Sequence, residues 1–334
     1  MRNTIRNQFK HWFREGWRFA LASALLGAPL LGQSSLPQQP PAPPQESPPA
    51  ISVRSDLVAL PVTVTDRKGR YVSGLGRENF KIYEDGREQK ITIFEHEDLP
   101  VTAGLVLDRS GSMIPKLDQV RAAALAFAET SNPKDEIFVV DFNETVSFAL
   151  PSGLLFTNNI TQLKAGLLSI EGAGETALYD AISKSLDRLK YGSGKKKALM
   201  VISDGGDNAS RNSLRSVLAK AESSTALIYT IGLFDKDDPD QNPGLLRKLA
   251  RISGGRAFFP GEAPQITEIC REIARELREQ YTLGYLPSQG APEGKYLKFR
   301  VTATSPRYGP LDVRTRAGYR PPREDAPEAK TQGT

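Results

Sequence analysis

The rhythm of apolar and polar residues changes twice along this chain of 334 residues. Between residues 51 and 99 it has a period of two. Val58, Leu60, Val62 and Val64 alternate with Ala59, Pro61, Thr63 and Thr65, and Phe80 and Ile82 alternate again. Successive side chains of a strand point to opposite faces, so this stretch predicts half-buried antiparallel strands. Asp66-Arg-Lys-Gly69 and Glu84-Asp-Gly86 are their turns. Between residues 100 and 278 the pattern becomes unbroken apolar runs: Ala103–Leu107, Ile137–Val140, Ala198–Ile202 and Leu227–Ile231. Helical spacing separates them near Ile114–Ala128, Ala177–Leu189, Leu214–Ser223 and Pro243–Ile252. Strands apolar on both faces and alternating with helices predict an α/β fold with a doubly wound, mostly parallel sheet. Val146–Leu150 follows a short turn at Asn143-Glu144 and reads as an antiparallel edge strand.

Period two returns between residues 279 and 320, where Leu297, Phe299, Val301 and Ala303 alternate with Tyr296, Lys298, Arg300 and Thr302. Neither flank has enough strands to stand alone. The expectation is therefore one smaller antiparallel β-sandwich, built from residues 51–99 and 279–320, with the α/β domain of residues 100–278 inserted between its halves. Residues 33–50, rich in proline and glutamine, read as an extended linker, and residues 321–334 as a disordered polar tail.

Composition changes this picture only at the N-terminus. Arg2, Arg6, Lys10, Arg14 and Arg18, against Glu15 alone, place most of the formal +5 charge in the first 32 residues. The rest of the chain is near neutral, which removes the simplest case for nucleic-acid binding. A basic stretch followed by an apolar run from about Phe19 to Leu31 reads as a signal peptide or an uncleaved signal anchor in residues 1–32. Export is expected either way: secreted, periplasmic or tethered at the cell surface, with membrane contact only through that anchor. Cys270 is the sole cysteine, so no intrachain disulfide can form. Ile266, Ile269, Cys270, Ile273 and Leu277 share a helical face, which makes Cys270 a small buried residue.

Candidate chemistry lies at the ends of two apolar runs. Leu105-Val-Leu-Asp108 ends in a carboxylate, and the hydroxyls Ser110 and Ser112 follow at alternate positions. By itself an Asp-x-Ser turn after a strand commonly only caps the next helix. A glycine-rich loop, Gly172-Ala-Gly-Glu-Thr176, delivers another hydroxyl at a helix start, and Leu199-Met-Val-Ile-Ser-Asp204 ends a second strand in a carboxylate. Parallel strands can bring all of these to one sheet edge. Hard oxygen donors of this kind suit Mg²⁺.

In that order and separation, Asp108-Arg-Ser-Gly-Ser112, the Thr176 loop and Asp204 resemble the von Willebrand factor type A domain, a Rossmann-like fold. The resemblance spans residues 100–278 and implies a metal-ion-dependent adhesion site. Ser110, Ser112 and Thr176 would offer hydroxyls to Mg²⁺, with Mn²⁺ or Ca²⁺ as alternatives, and Asp108 and Asp204 would hold it directly or through water. The partner implied is a protein presenting an Asp or Glu carboxylate. Arg109, Met113, Ile114 and Glu175 are the expected rim residues. Val62–Asp66, Tyr83–Gly86 and Tyr281–Tyr285 also resemble the flanks of a bacterial exported subfamily.

Competing readings carry less. Only His11 and His96 could serve a serine nucleophile, and no Gly-x-Ser-x-Gly elbow is present. Gly192-Ser-Gly-Lys-Lys-Lys197 fails the spacing of a phosphate loop and precedes a strand instead of following one. A metal hydrolase would ordinarily need histidine or several carboxylates to activate water. Asp235-Lys-Asp-Asp-Pro-Asp-Gln-Asn242 lacks the glycine and distal glutamate of a calcium loop and reads as a solvated tip. The expectation is a non-enzymatic, cation-dependent binding module. The alternative is an assembly scaffold whose metal only stabilises the loops.

Overall fold

The computed structural model describes residues 57–96, 98–234, 241–262, 264–287 and 295–320. The expected leader, linker, tail and the acidic stretch 235–240 lie outside the described residues. In chain order the first flank supplies β1 (Val58–Thr65), β2 (Phe80–Glu84), β3 (Arg87–Gln89) and β4 (Ile91–Glu95). The middle supplies β5 (Val101–Asp108), α1 (Leu117–Thr130), β6 (Glu136–Phe142), β7 (Val146–Phe148), α2 (Ile160–Leu168) and α3 (Leu178–Leu189). It continues with β8 (Lys196–Ser203), α4 (Leu214–Ser223), β9 (Leu227–Gly232), α5 (Pro243–Ser253), β10 (Ala257–Phe258) and α6 (Pro264–Glu279). The second flank supplies β11 (Tyr281–Tyr285), β12 (Leu297–Ser305), β13 (Gly309–Arg314) and β14 (Gly318–Tyr319).

The middle strands form a six-stranded sheet in the order β10-β9-β8-β5-β6-β7. All its pairings are parallel except β6 with β7, so the short turn at Asn143-Glu144 does make an antiparallel edge. Residue parity decides which layer each strand side chain joins. Ala103, Leu105 and Leu107 of β5 pack with α1, α2 and α6, while Val106 packs with α3, α4 and α5. The sheet is thus covered on both faces, which is why its strands read as unbroken apolar runs. The helix expected from Ile114 begins later, at Leu117. Gly111–Lys116 forms a tighter 3₁₀ turn containing Pro115, which has no N–H to donate into a helix. Helix α2 and strand β10 are additions; α2 carries Leu163 and Leu167 at helical spacing, and β10 is only two residues long.

The two flanks pair directly with each other. The first half of β1, Val58–Val62, lies antiparallel to β11, and its second half, Thr63–Thr65, lies antiparallel to β13. Strand β2 pairs with β12, and β4 with β11. The result among the described residues is an eight-stranded antiparallel sheet with the path β3-β2-β12-β13-β1-β11-β4, to which β14 adds beside β12. Leu60, Val62, Ile82, Tyr281, Leu283 and Tyr285 form its core. These residues come from both flanks, whose paired strands lie about 200 residues apart in sequence.

A buried polar network joins this sheet to α6. Glu276 is fully buried and forms an ion pair with Arg314 Nη2 at 2.6 Å. The same carboxylate accepts hydrogen bonds from Tyr229 at 2.6 Å, Thr63 at 3.1 Å and Tyr71 at 3.3 Å. Its partners come from β1, β9, β13 and the loop after β1.

Candidate functional site

Leu107 pairs with Ile202 in parallel register, so Asp108 and Ser203 leave the sheet side by side at its C-terminal edge. Each aspartate at this edge divides its two oxygens in the same way. Asp108 Oδ1 accepts the backbone N–H of Ser110 at 2.9 Å, and Asp204 Oδ1 accepts that of Gly206 at 3.0 Å. These bonds fix each carboxylate to its own loop. The second oxygens cross over. Ser203 Oγ donates to Asp108 Oδ2 at 2.6 Å, and Ser112 Oγ donates to Asp204 Oδ2 at 2.5 Å. Ser110 Oγ lies 3.3 Å from Ser112 Oγ and closes the chain of hydroxyls.

Thr176 reaches the same edge through its backbone. Gly111 N–H donates to the Gly174 carbonyl at 3.0 Å, and Ala173 N–H to the Arg109 carbonyl at 2.9 Å. Gly174 has φ +79°, a left-handed backbone conformation that glycine adopts without the strain another residue would carry. Thr176 itself is clamped at both ends of its peptide unit. Its N–H donates to Asn208 Oδ1 at 2.8 Å, and its carbonyl accepts from the N–H groups of Asn208 and Ala209, each at 3.0 Å. One turn further on, Asp207 Oδ1 accepts the Tyr179 N–H at 3.0 Å and caps α3.

The structure thus gathers Asp108, Ser110, Ser112, Thr176 and Asp204 on three mutually bonded loops, with all but Ser112 buried. Sequence reading missed the residues that hold them. Ser203 was visible only as a polar residue ending an apolar run. Asn208 and Asp207 follow Asp204 closely, but nothing local says that they reach Thr176 and Tyr179.

The electrostatics are those of an uncompensated pair. Burial pushes the Asp108 carboxyl up to about 6, against the pull of the Ser110 and Ser203 hydrogen bonds, and the charge of Asp204 adds to the rise. Among the described residues neither Asp108 nor Asp204 forms a salt bridge. Arg109 is not available to them. Its Nε pairs with Asp141 Oδ1 at 2.6 Å, and its other nitrogens reach the Glu171 carbonyl and Thr145 Oγ1. Among the described residues no group of three or more His, Cys, Asp or Glu side chains gathers for a metal. The donor set here is of another kind, two carboxylates and three hydroxyls, and all are hard oxygens. Two buried negative charges without a protein cation fit a small divalent ion.

The expected rim needs correction. Met113 is fully buried in the core beneath α1 and cannot meet a partner. Arg109 is mostly turned inward, with only 16% of its side chain exposed. Ile114, at 51%, and Glu175 are exposed.

Other candidate chemistry is taken up elsewhere. His96 stacks on Tyr281 with ring centroids 3.9 Å apart, and burial lowers its pKa beside Lys196. Lys196 opens β8, so His96 sits at the edge of the sheet opposite Ser110, about 25 Å along a strand of this length. The Gly192 loop is filled by a carboxylate: Ser193 donates from both N–H and Oγ to Glu136 at 2.7 Å. Cys270 is buried with its Sγ 3.5 Å from Met200 Sδ, and burial pushes its thiol up to about 12. Among the described residues no helix is long and apolar enough to cross a membrane.

Among curated proteins no match is found. Among solved structures the chain is similar to a von Willebrand factor type A protein from Catenulispora acidiphila, at 13% identity over 78% of this chain and 71% of that one, with TM-score 0.49. It is similar to the vWF domain of the type V pili tip protein Mfa5 from Porphyromonas gingivalis, at 12% identity over 54% and 97%, with TM-score 0.43. A third similar structure is proximal thread matrix protein 1 from the mussel byssus with a zinc-occupied MIDAS motif, at 12% identity over 58% and 49%, with TM-score 0.47. Residues 104–206, which carry all five of the gathered side chains, match the von Willebrand factor type A domain.

Proposed function

We propose that this protein is a divalent-cation-dependent binding module that engages a partner protein through an Asp or Glu carboxylate. One observation carries the reading. Asp108 and Asp204 are buried at one sheet edge, tied to each other through Ser110, Ser112 and Ser203, with no lysine or arginine among the described residues paired to either. Ser110, Ser112 and Thr176 would offer neutral hydroxyl oxygens, and Asp108 and Asp204 would supply the negative charge. Mg²⁺ is the proposed ion, with Mn²⁺ or Ca²⁺ as alternatives. When bound, the ion supplies a positive charge at which an external carboxylate can replace water. Exposed Ile114 and Glu175 lie beside the site and would meet the partner's flanking surface.

The same reading places the protein outside the cytoplasm. It rests on the basic and apolar pattern of residues 1–32 and on the resemblance of the flanks to exported proteins. We read the antiparallel sheet as folding over on itself into a sandwich, because β1 divides its pairing between β11 and β13. A second reading, a scaffold in which the ion only fastens the loops, has its own support: backbone bonds already tie the Arg109, Thr176 and Asn208 loops together.

The test is a pull-down from the exported proteome with the full chain, in Mg²⁺ and in EDTA, beside Asp108→Ala. A partner kept only with metal and with intact Asp108 is the expected result. A partner kept regardless of both moves the function to the scaffold reading.

A further inference from the structure

A cleft remote in sequence from the Asp108 and Asp204 loops has the opposite charge. It is an open cleft of about 420 Å³ where Arg247, Arg251 and the Gly254-Gly255 turn at the end of α5 lie across from Arg314 of β13. A cavity of this size suits a small ligand. Among the described residues no aspartate or glutamate lines it. Arg247 and Arg251 are four residues apart, so their side chains leave the same face of α5. Both are exposed, and neither has a hydrogen bond or ion pair among the described residues. The Arg247 guanidinium lies 4.5 Å over the ring of Phe259, which holds it against one wall. Arg314 spends one nitrogen on Glu276, and among the described residues its buried Nη1 has no acceptor.

The charge balance decides what such a cleft can take. Glu276 neutralises Arg314, and the C-terminal end of α5 is the negative end of its dipole. The two charges of Arg247 and Arg251 outweigh that partial charge, so the cleft stays positive. We infer that it is an oxyanion site, in which the guanidinium forks of Arg247 and Arg251 take a phosphate or carboxylate group of a small ligand. Such forks present parallel N–H donors that match two oxygens at once. A ligand held there would bridge α5 of the parallel-sheet part and β13 of the antiparallel sheet.

The experiment is calorimetric titration of the full chain with inorganic phosphate and, separately, with citrate. EDTA is present throughout, so that no divalent ion at the other site recruits the anion, and sodium chloride holds the ionic strength constant. The comparison is the double variant R247Q/R251Q, whose exposed positions should leave the melting temperature unchanged. The expected result is saturable binding of at least one anion, weakened about tenfold or more in the double variant. Amide shifts at Gly254 and Gly255 should accompany it. Binding of phosphate alone would specify a tetrahedral ligand group, and binding of citrate alone a carboxylate. No saturable heat from either anion, or equal affinity in the double variant, overturns the inference.

Discussion

Glu276 and the pair Asp108 and Asp204 are buried carboxylates in one chain, and the protein treats them in opposite ways. Glu276 meets Arg314 and the hydroxyls of Thr63, Tyr71 and Tyr229, so its charge is cancelled and its oxygens are filled from several sides. Among the described residues Asp108 and Asp204 receive only hydroxyl and amide donors. Hydrogen bonds orient a carboxylate but do not remove its charge. The first arrangement is balanced in charge and holds two sheets to one helix. The second is held in shape yet lacks positive charge, which is how a protein can prepare a cation site without collapsing it.

The comparison can be broken most severely at Glu276. Glu276→Ala leaves Arg314 buried without its partner and should cost roughly 3–5 kcal/mol in urea unfolding. A loss below about 1 kcal/mol would mean that the network is not the tie between the sheets. The contrasting variants are Asp108→Asn and Asp204→Asn. Each should abolish Mg²⁺ binding in calorimetry, while the melting temperature in EDTA stays level or rises, because a buried repulsion has gone. If the EDTA-treated variants fall as far as Glu276→Ala, the site's carboxylates are structural and the contrast fails.

Asn208→Ala should sharpen the comparison by a smaller amount. It removes the acceptor that holds the Thr176 N–H and should weaken Mg²⁺ affinity by roughly 1 kcal/mol, about fivefold. Asn208→Asp keeps the acceptor and should recover most of that loss. Unchanged affinity in Asn208→Ala would show that Thr176 needs no such clamp. At the bottom of the scale stands the exposed pair Arg275–Glu268, whose side chains are 56% and 62% exposed. Arg275→Ala should change unfolding by no more than about 0.5 kcal/mol. A larger change would show that charge on α6 matters beyond Glu276.

Periodicity was a dependable guide where local pattern and burial agree. Unbroken apolar runs became β5, β6, β8 and β9 because both their faces are covered, and the alternating flanks became antiparallel strands. Met113 and Ile114 show where it stops. Both are apolar neighbours in one 3₁₀ turn, yet one is fully buried and the other half exposed, because successive residues of such a turn point about 120° apart. Arg109 sits beside Asp108 in sequence and looked like a rim residue. Asp141, on the neighbouring strand, drew its charge away.

The sequence by itself determined the alternation of strands and helices, the carboxylates at two strand ends, and the hydroxyls after them. These follow from side-chain chemistry and spacing, which are local. Tertiary structure decided which carboxylate would be neutralised. Glu276 lies on a strongly amphipathic helix, where a glutamate reads as solvated. Its partners arrive from β1, β9 and β13, as far as 213 residues away in sequence. Charge compensation in a protein interior depends on which groups meet at contact distance, and only the folded chain sets those meetings.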